Sequence, residues 1–410
     1  MGTDQRRLSS SRRNALKNII RLIPAVVILA TMLSAVSCNN NNGLLPQVHG
    51  GSGSNTPTAT PTAGTGALAF VTNFNDGMVS SFTRNTVTGV LKLKSQVTAG
   101  AKKGPKGVAA APSGSFLYVA NNSDGNIYEF SVNQTDGTLT PLSPASVSNG
   151  KNSGPDEIAI SADGTLMWVT GANNGTVTTY AINSSTGQLT LNSTVSGLSG
   201  PFGITADSAN SIVYVADNKA GLVFSFGIGT NGKLTQIGSP VSDLGGSGGS
   251  PGFIALDPAG TFIYVTDLNA GVLSVLKTAA GTLSFFSTQP LTNTANKPIG
   301  IGYSAVTSVG NFVFTANQGV STVWSFFLNT PGFPSTGVET PTTGLNAPTG
   351  LVVDPQNAFL YVTNQNAGTV SQFALTAACL NAGAPCCVGS VATENPAKAG
   401  SGPFGITLAQ

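Results

Sequence analysis

Histidine is almost absent from this chain of 410 residues: there is one, His49, and none between residues 67 and 410. Neither a Ser-His-Asp nor a Cys-His arrangement can therefore be assembled there, and a histidine-bound zinc or iron site is excluded. Arginine is nearly as scarce, with Arg84 alone beyond residue 21. Charged residues make up 8% of the chain, against about 25% in ordinary soluble domains. The formal net charge of +2 belongs to the N-terminus, where six of the 18 basic and one of the 16 acidic residues precede Cys38. From Cys38 onward the count is 12 basic against 15 acidic, or −3. No basic footprint remains, which argues against a nucleic-acid partner. The uncharged run at residues 22–36 has 15 residues, short of the roughly 20 that a membrane-spanning helix needs. Cysteine is limited to four positions, Cys38, Cys379, Cys386 and Cys387.

Glycine, serine, threonine and asparagine take the place of charge, and they recur in register. An apolar run before Asn or Asp reads FVTN at 70–73, YVAN at 118–121, WVTG at 168–171, YVAD at 214–217, YVTD at 264–267, FTAN at 314–317 and YVTN at 361–364. Adjacent copies lie 46 to 50 residues apart. A second column, Pro105, Pro155, Pro201, Pro251, Pro298, Pro348 and Pro403, precedes it, most members followed two residues later by Gly. A third follows, a Gly and then an aromatic five positions on, as in Gly125 and Phe130 or Gly368 and Phe373. A period of this length accommodates four short strands and is the signature of a propeller blade.

Each unit reads as strands a to d. Strand a is short and rich in small residues, as expected where several inner strands crowd one axis. A turn such as APSG at 111–114 or DPAG at 257–260 leads to strand b, since Pro presets φ and Gly accepts the closing geometry. Strand b is apolar at consecutive positions, so both its faces are buried, as stacked blades require. The first copy begins at strand b (residues 67–73), whereas the C-terminal GPFGITLAQ (402–410) is a strand a with nothing after it. The two ends complete one blade. The expectation is an all-β, seven-bladed β-propeller over residues 67–410, closed without a free sheet edge.

These motifs carry a resemblance. YVTN at 361–364 is the tetrapeptide of YVTN-type propeller repeats, and the Pro-x-Gly, Asp-Pro-x-Gly, Tyr-Val succession resembles the seven-bladed lactonase family, with its 6-phosphogluconolactonase-like and muconate-cyclase-like members. The resemblance covers about residues 67–410. It implies the propeller fold and, for the enzymes of the family, a channel mouth worked by His, Arg and Glu side chains. This chain departs from that pattern, lacking the His and nearly all the Arg.

Residues 1–37 resemble an export signal. Arg6, Arg7, Arg12, Arg13, Lys17 and Arg21 form a basic region containing the twin-arginine-like stretch SRRNALK at 11–17. The apolar run follows and leads into AVSC at 35–38, which resembles a bacterial lipobox with Cys38 as the lipidated residue. Residues 38–66 have too few apolar groups to build a core and read as a flexible tether. The expected location is the cell envelope, with the chain held to a membrane by the lipid, on the periplasmic face or at the cell surface. Among the remaining cysteines, a disulfide from Cys379 to Cys386 or Cys387 is one pairing and a vicinal Cys386–Cys387 bond another.

Candidate site residues are of two kinds. The b–c loops carry Asn73, Asp76, Asn121, Asp124, Asn173, Asp217, Asp267, Asn317 and Asn364. Asn and Asp so placed are turn formers, and the alternative is a ring of oxygens facing a polar ligand or calcium, although no loop has EF-hand spacing. No cofactor is otherwise implied. The other kind is a break in the repeat. After the strand-a Pro, most blades carry Gly, Ile, Thr or Phe, but two neighbours carry Lys106 and Asp156, and Glu157 stands where Gly is usual. Glu157 as a general base on water, with Lys106 stabilising an oxyanion, would suit lactone hydrolysis. A Lys106–Asp156 surface pair worth at most about 1 kcal/mol is the plainer alternative. The sequence as a whole reads as a monomeric extracytoplasmic binding module for a glycan, a small lactone or an envelope protein. A lactone hydrolase and a structural surface protein are the rivals.

Overall fold

The computed structural model describes residues 67–409 apart from 102, 210, 247, 292–297, 307–309, 336, 340–343, 376–387 and 391–395. The signal, the tether with Cys38 and His49, and the cysteines Cys379, Cys386 and Cys387 lie outside the described residues.

Strands in these residues pair into seven antiparallel sheets of four or five strands. Blade 1 has strands a to d at Pro105–Ala110, Phe116–Asn121, Asn126–Val132 and Leu139–Ser148. Blades 2 to 6 begin with Pro155–Ile160, Pro201–Asp207, Pro251–Leu256, Pro298–Val306 and Pro348–Val353. Blade 7 is composite. Its strands b to d are Leu68–Asn73, Met78–Arg84 and Leu91–Thr98, and its strand a is the C-terminal Pro403–Ala409. Leu68 pairs with Ala409, and Val71 with Ile406. The seven strands a touch one another in succession, the last against the first, so the ring closes.

Strand b is buried on both faces, all six residues in Leu68–Asn73 and in Phe359–Asn364. Its side chains feed seven apolar clusters, one at each junction between neighbouring blades. Each fully buried aromatic or branched side chain contributes about 1.5–3 kcal/mol. The two tryptophans, Trp168 and Trp324, belong to these clusters and are buried.

The recurring tetrapeptide acquires a role letter by letter. The tyrosine pegs neighbouring blades: the Tyr118 hydroxyl donates to Gly187 O at 2.7 Å and the Tyr361 hydroxyl to Gly89 O at 2.9 Å, each in the next blade. The threonine clamps the inner ring. Thr363 accepts from Gly350 N–H in its own blade (2.7 Å) and donates to Phe404 O in the next (2.8 Å). The final Asn or Asp ties the b–c turn to the incoming d–a loop, as when Asp217 accepts from Ser199 N, Gly200 N and Ala220 N. Tyr118→Phe leaves the Gly187 carbonyl without its donor and is expected to lower stability by about 1–2 kcal/mol in urea titrations, with the fold intact.

The Gly two residues after five of the seven strand-a prolines, Gly107, Gly203, Gly300, Gly350 and Gly405, answers a packing constraint. A Cβ on Gly203, Gly300 or Gly350 would stand 2.3, 2.1 or 2.2 Å from a backbone oxygen of the next blade. Real side chains cannot approach so closely. The two blades that carry Glu157 and Phe253 at this column therefore send side chains into the channel instead.

Candidate functional site

Two neighbouring strands a, Pro105–Ala110 and Pro155–Ile160, supply the charged cluster. Lys106 Nζ lies 2.9 Å from Asp156 Oδ1 and 3.0 Å from Oδ2, so the ammonium is shared by both carboxylate oxygens. It also sits 5.6 Å from the ring centres of Phe202 and Phe404. Phe253 completes the aromatic set, edge-on to Phe202 at 5.1 Å and tilted against Phe404 at 6.5 Å. The Asp156 side chain is 3% exposed and that of Lys106 19%, so the pair is an interior contact rather than the surface pair that spacing alone allowed. Burial raises the Asp156 carboxyl above the usual aspartate range, and the Lys106 charge opposes that rise.

Glu157 lines a cavity of about 120 Å³ with Val108, Phe253, Gly300, Gly350, Leu351, Gly405 and Ile406. Its Oε1 is enclosed and accepts no hydrogen bond. Burial first, then the neighbouring Asp156 charge, pushes its carboxyl up to about 8, with Lys106 and the Ile158 N–H pulling the other way. Near neutral pH the group is mostly a neutral acid, able to give a proton rather than take one. The three residues singled out from the repeat thus do come together, with Glu157 Oε1 and Asp156 Oδ1 buried and accepting no hydrogen bond, although Asp156 Oδ1 is ion-paired to Lys106.

The b–c loop residues have a different fate. Asn73, Asn121, Asp217, Asp267, Asn317 and Asn364 are all fully buried. Asn121 donates to Ala99 O, Asp267 accepts from Ser250 N, Asn269 N and Ala270 N, and Asn364 accepts from Asn346 N. Asn73 and Asn317 bond Ser80 and Thr322 in strand c. These bonds tie the loops to neighbouring strands and loops, while Asn73 Oδ1 is buried without a partner. Asp76, Asp124 and Asn173 lie nearer the surface; Asp76 accepts from Ser401 N, and Asp124 from Asn126 N and the Tyr128 hydroxyl. Among the described residues no group of three His, Cys, Asp or Glu is placed to hold a metal ion.

Phe202, Phe253 and Phe404 were not legible as a site. The available signal was Phe253 in the same Gly column that flagged Glu157. Asp243 was also missed. It follows strand d of blade 3, in the column where other blades carry Ala99, Leu291 and Ala399, and both its oxygens are buried without a partner.

Fold and site define a closed seven-bladed β-propeller whose inner strands bring aromatic and charged side chains together around a small cavity. The chain belongs to the lactonase family of seven-bladed β-propellers, whose description matches residues 62–202, 166–298 and 204–379. Among solved structures it is similar to a protein from Bacteroides uniformis provisionally assigned as a 6-phosphogluconolactonase, with 14% identity, a TM-score of 0.71, and 84% of this chain and 99% of that one covered. A Bacteroides fragilis protein with the same provisional assignment has 16% identity and a TM-score of 0.69, over 86% and 100% of the two chains. The Pseudomonas aeruginosa periplasmic gluconolactonase PpgL has 15% identity and a TM-score of 0.66, over 84% and 99%. At such identity the likeness is one of fold. No curated protein sequence matches the chain.

Proposed function

We propose that this protein is an exported, lipid-anchored binding module of the cell envelope, built on the lactonase fold but not using the channel for hydrolysis. The observation that carries the reading is the closure of the channel mouth. Lys106 is held by both oxygens of Asp156 and flanked by Phe202 and Phe404, and the cavity beside Glu157 has about 120 Å³. Small-molecule sites occupy about 300–1,000 Å³. An aldonolactone has no room beside Glu157, and an oxyanion would have to compete with Asp156 for the Lys106 ammonium. The basic, apolar and lipobox-like segments ahead of the propeller support export and anchoring through Cys38.

The competing reading is a lactone hydrolase with Glu157 as the proton-transfer group; its carboxyl, pushed up to about 8, is the kind of perturbed group that marks catalytic sites. The test is hydrolysis of a panel of aldonolactones by the purified protein, with and without calcium, beside Glu157→Ala. The expected result is no turnover above buffer for either. Turnover that disappears in Glu157→Ala would replace the binding module with a histidine-free lactonase.

A further inference from the structure

At the junction of blades 6 and 7 the loops leave a hollow of about 440 Å³, lined by Asn75, Gln365, Asn366, Ala367 and Ser401 with the backbone of Gly368, Gly400 and Gly402. Its origin is local. The incoming d–a loop is Gly400-Ser401-Gly402, whereas the loops entering blades 1 and 2 carry the exposed Lys103 and Lys151. With no long side chain to fill the space, the amides of the two flanking b–c loops border an open floor of backbone. Asn75 and Asn366 are exposed, and among the described residues their side chains make no hydrogen bond. Gln365 accepts from Gln318 at 2.8 Å, which leaves its own amide hydrogens free and fixes its plane.

We propose that this hollow binds an uncharged saccharide chain, a ligand class that deepens the binding-module reading and rests on it. A primary amide offers a donor and an acceptor side by side, the pattern that a pair of vicinal hydroxyls matches. Among the described residues no ionisable side chain lines the hollow. Asp76, beside Asn75 on the same b–c loop, accepts from the Ser401 N–H at 2.8 Å. A charged ligand would lose its hydration in this hollow without gaining a counter-charge there; the exposed Lys398 lines only the adjoining hollow. Ala367 is the one apolar side chain in the lining, so the pockets that would select a peptide's side chains are missing.

The hollow runs on into a second one of about 390 Å³, which shares Ala367, Gly368 and Gly400 and adds Leu93, Gln96, Thr369, Lys398 and Ala399. Leu93 is 46% exposed there and offers an apolar face to the C–H surface of a sugar ring. The two hollows together suit a chain of several sugar units rather than a monosaccharide.

The test is calorimetric titration of the purified full-length protein with neutral tetrasaccharides of the malto, cello and chito series and with an oligogalacturonate of equal length. Saturable binding of at least one neutral probe is expected, weakened about tenfold by Asn366→Ala and by Asn75→Ala and unchanged by Lys151→Ala. Both amides are exposed and unbonded, so these variants should keep the parent Tm. Binding of none of the neutral probes, preference for the oligogalacturonate, or neutral binding indifferent to both amide substitutions would each overturn the proposal. These failures differ from that of the underlying reading, which falls only on lactone turnover.

Discussion

The propeller is expected to be more stable near pH 5 than near pH 8, with a Tm difference on the order of 10 °C. Three buried carboxyls drive this. Glu157 is pushed up to about 8 for the reasons given above. Asp243, at the junction of blades 3 and 4, is raised to about 8 by burial first and then by the Asp267 carboxylate that faces it. Asp267 is already committed to three backbone N–H groups, and a proton on Asp243 is what can bridge the two. Glu129, between blades 1 and 2, is raised to about 7 by burial, against one hydrogen bond from Leu189 N at 3.1 Å. It faces Tyr118 and Tyr180, whose hydroxyls its charge pushes further up.

The sign follows from linkage. Each group has a folded pKa above its unfolded value of about 4, so the native state holds the extra proton in between. The stabilisation is fully present below the unfolded pKa. As pH rises toward 7–8 each group forfeits about 1.4 kcal/mol per unit. On the acid side the turn aspartates Asp136 and Asp163 have the opposite sense: hydrogen bonds in their own turns hold their carboxyls below the usual range. Their contribution is present at neutral pH and lost as pH falls through the folded values. Tm measured between pH 4 and 9 should fall from about pH 5 upward. Asp243→Asn keeps a donor toward Asp267 without a titrating proton, and should raise Tm at pH 8 and flatten the profile. A Tm that climbs from pH 5 to pH 8 would show that these carboxyls ionise freely in the native state.

Arg84→Met is expected to destabilise the protein by about 3–5 kcal/mol in urea titrations. Arg84 ends strand c of blade 7 and reaches into blade 6, where Nη1 lies 3.0 Å from Asp354 Oδ2; the two side chains are 1% and 0% exposed. Asp354 also holds its own turn, accepting from Ala358 N at 2.7 Å and Phe359 N at 2.8 Å. Removing the guanidinium leaves a carboxylate that is buried and cannot move. Most of the penalty is that stranded charge, so Arg84→Met combined with Asp354→Asn should recover much of the loss. If the double variant were no more stable than Arg84→Met, the lost packing of the guanidinium, and not the charge, would be the cause. The pair ties blade 6 to blade 7, the blade that joins the two ends of the propeller domain, so weakening it should also favour opening of the ring.

Much of this architecture is legible without coordinates. The seven copies, their four-strand length and the displaced phase of the two ends dictate a closed ring, because a strand a without a strand b has one partner available. The Pro-x-Gly column was readable as a repeat, and its cause, a backbone oxygen within 2.4 Å of the missing Cβ, emerged only from packing. Glu129 shows the limit from the other side. It stands where other blades carry Ser81, Thr179, Ser225, Ser325 or Gln372, so the departure is visible in an alignment of the repeats, but its burial is not.

The sequence by itself determined the number of blades, the place of closure and which residues break the repeat, since these follow from periodicity along one chain. Only the tertiary structure decided what the breaks do. Lys106, Asp156 and Glu157 belong to two blades, Phe202, Phe253 and Phe404 to three others, and Arg84 finds Asp354 across 270 residues. Burial, and with it the charge state of a carboxyl or the opening of a channel, depends on which blades face each other across the axis. That distance is set by the closing of the ring, and no local spacing in the sequence records it.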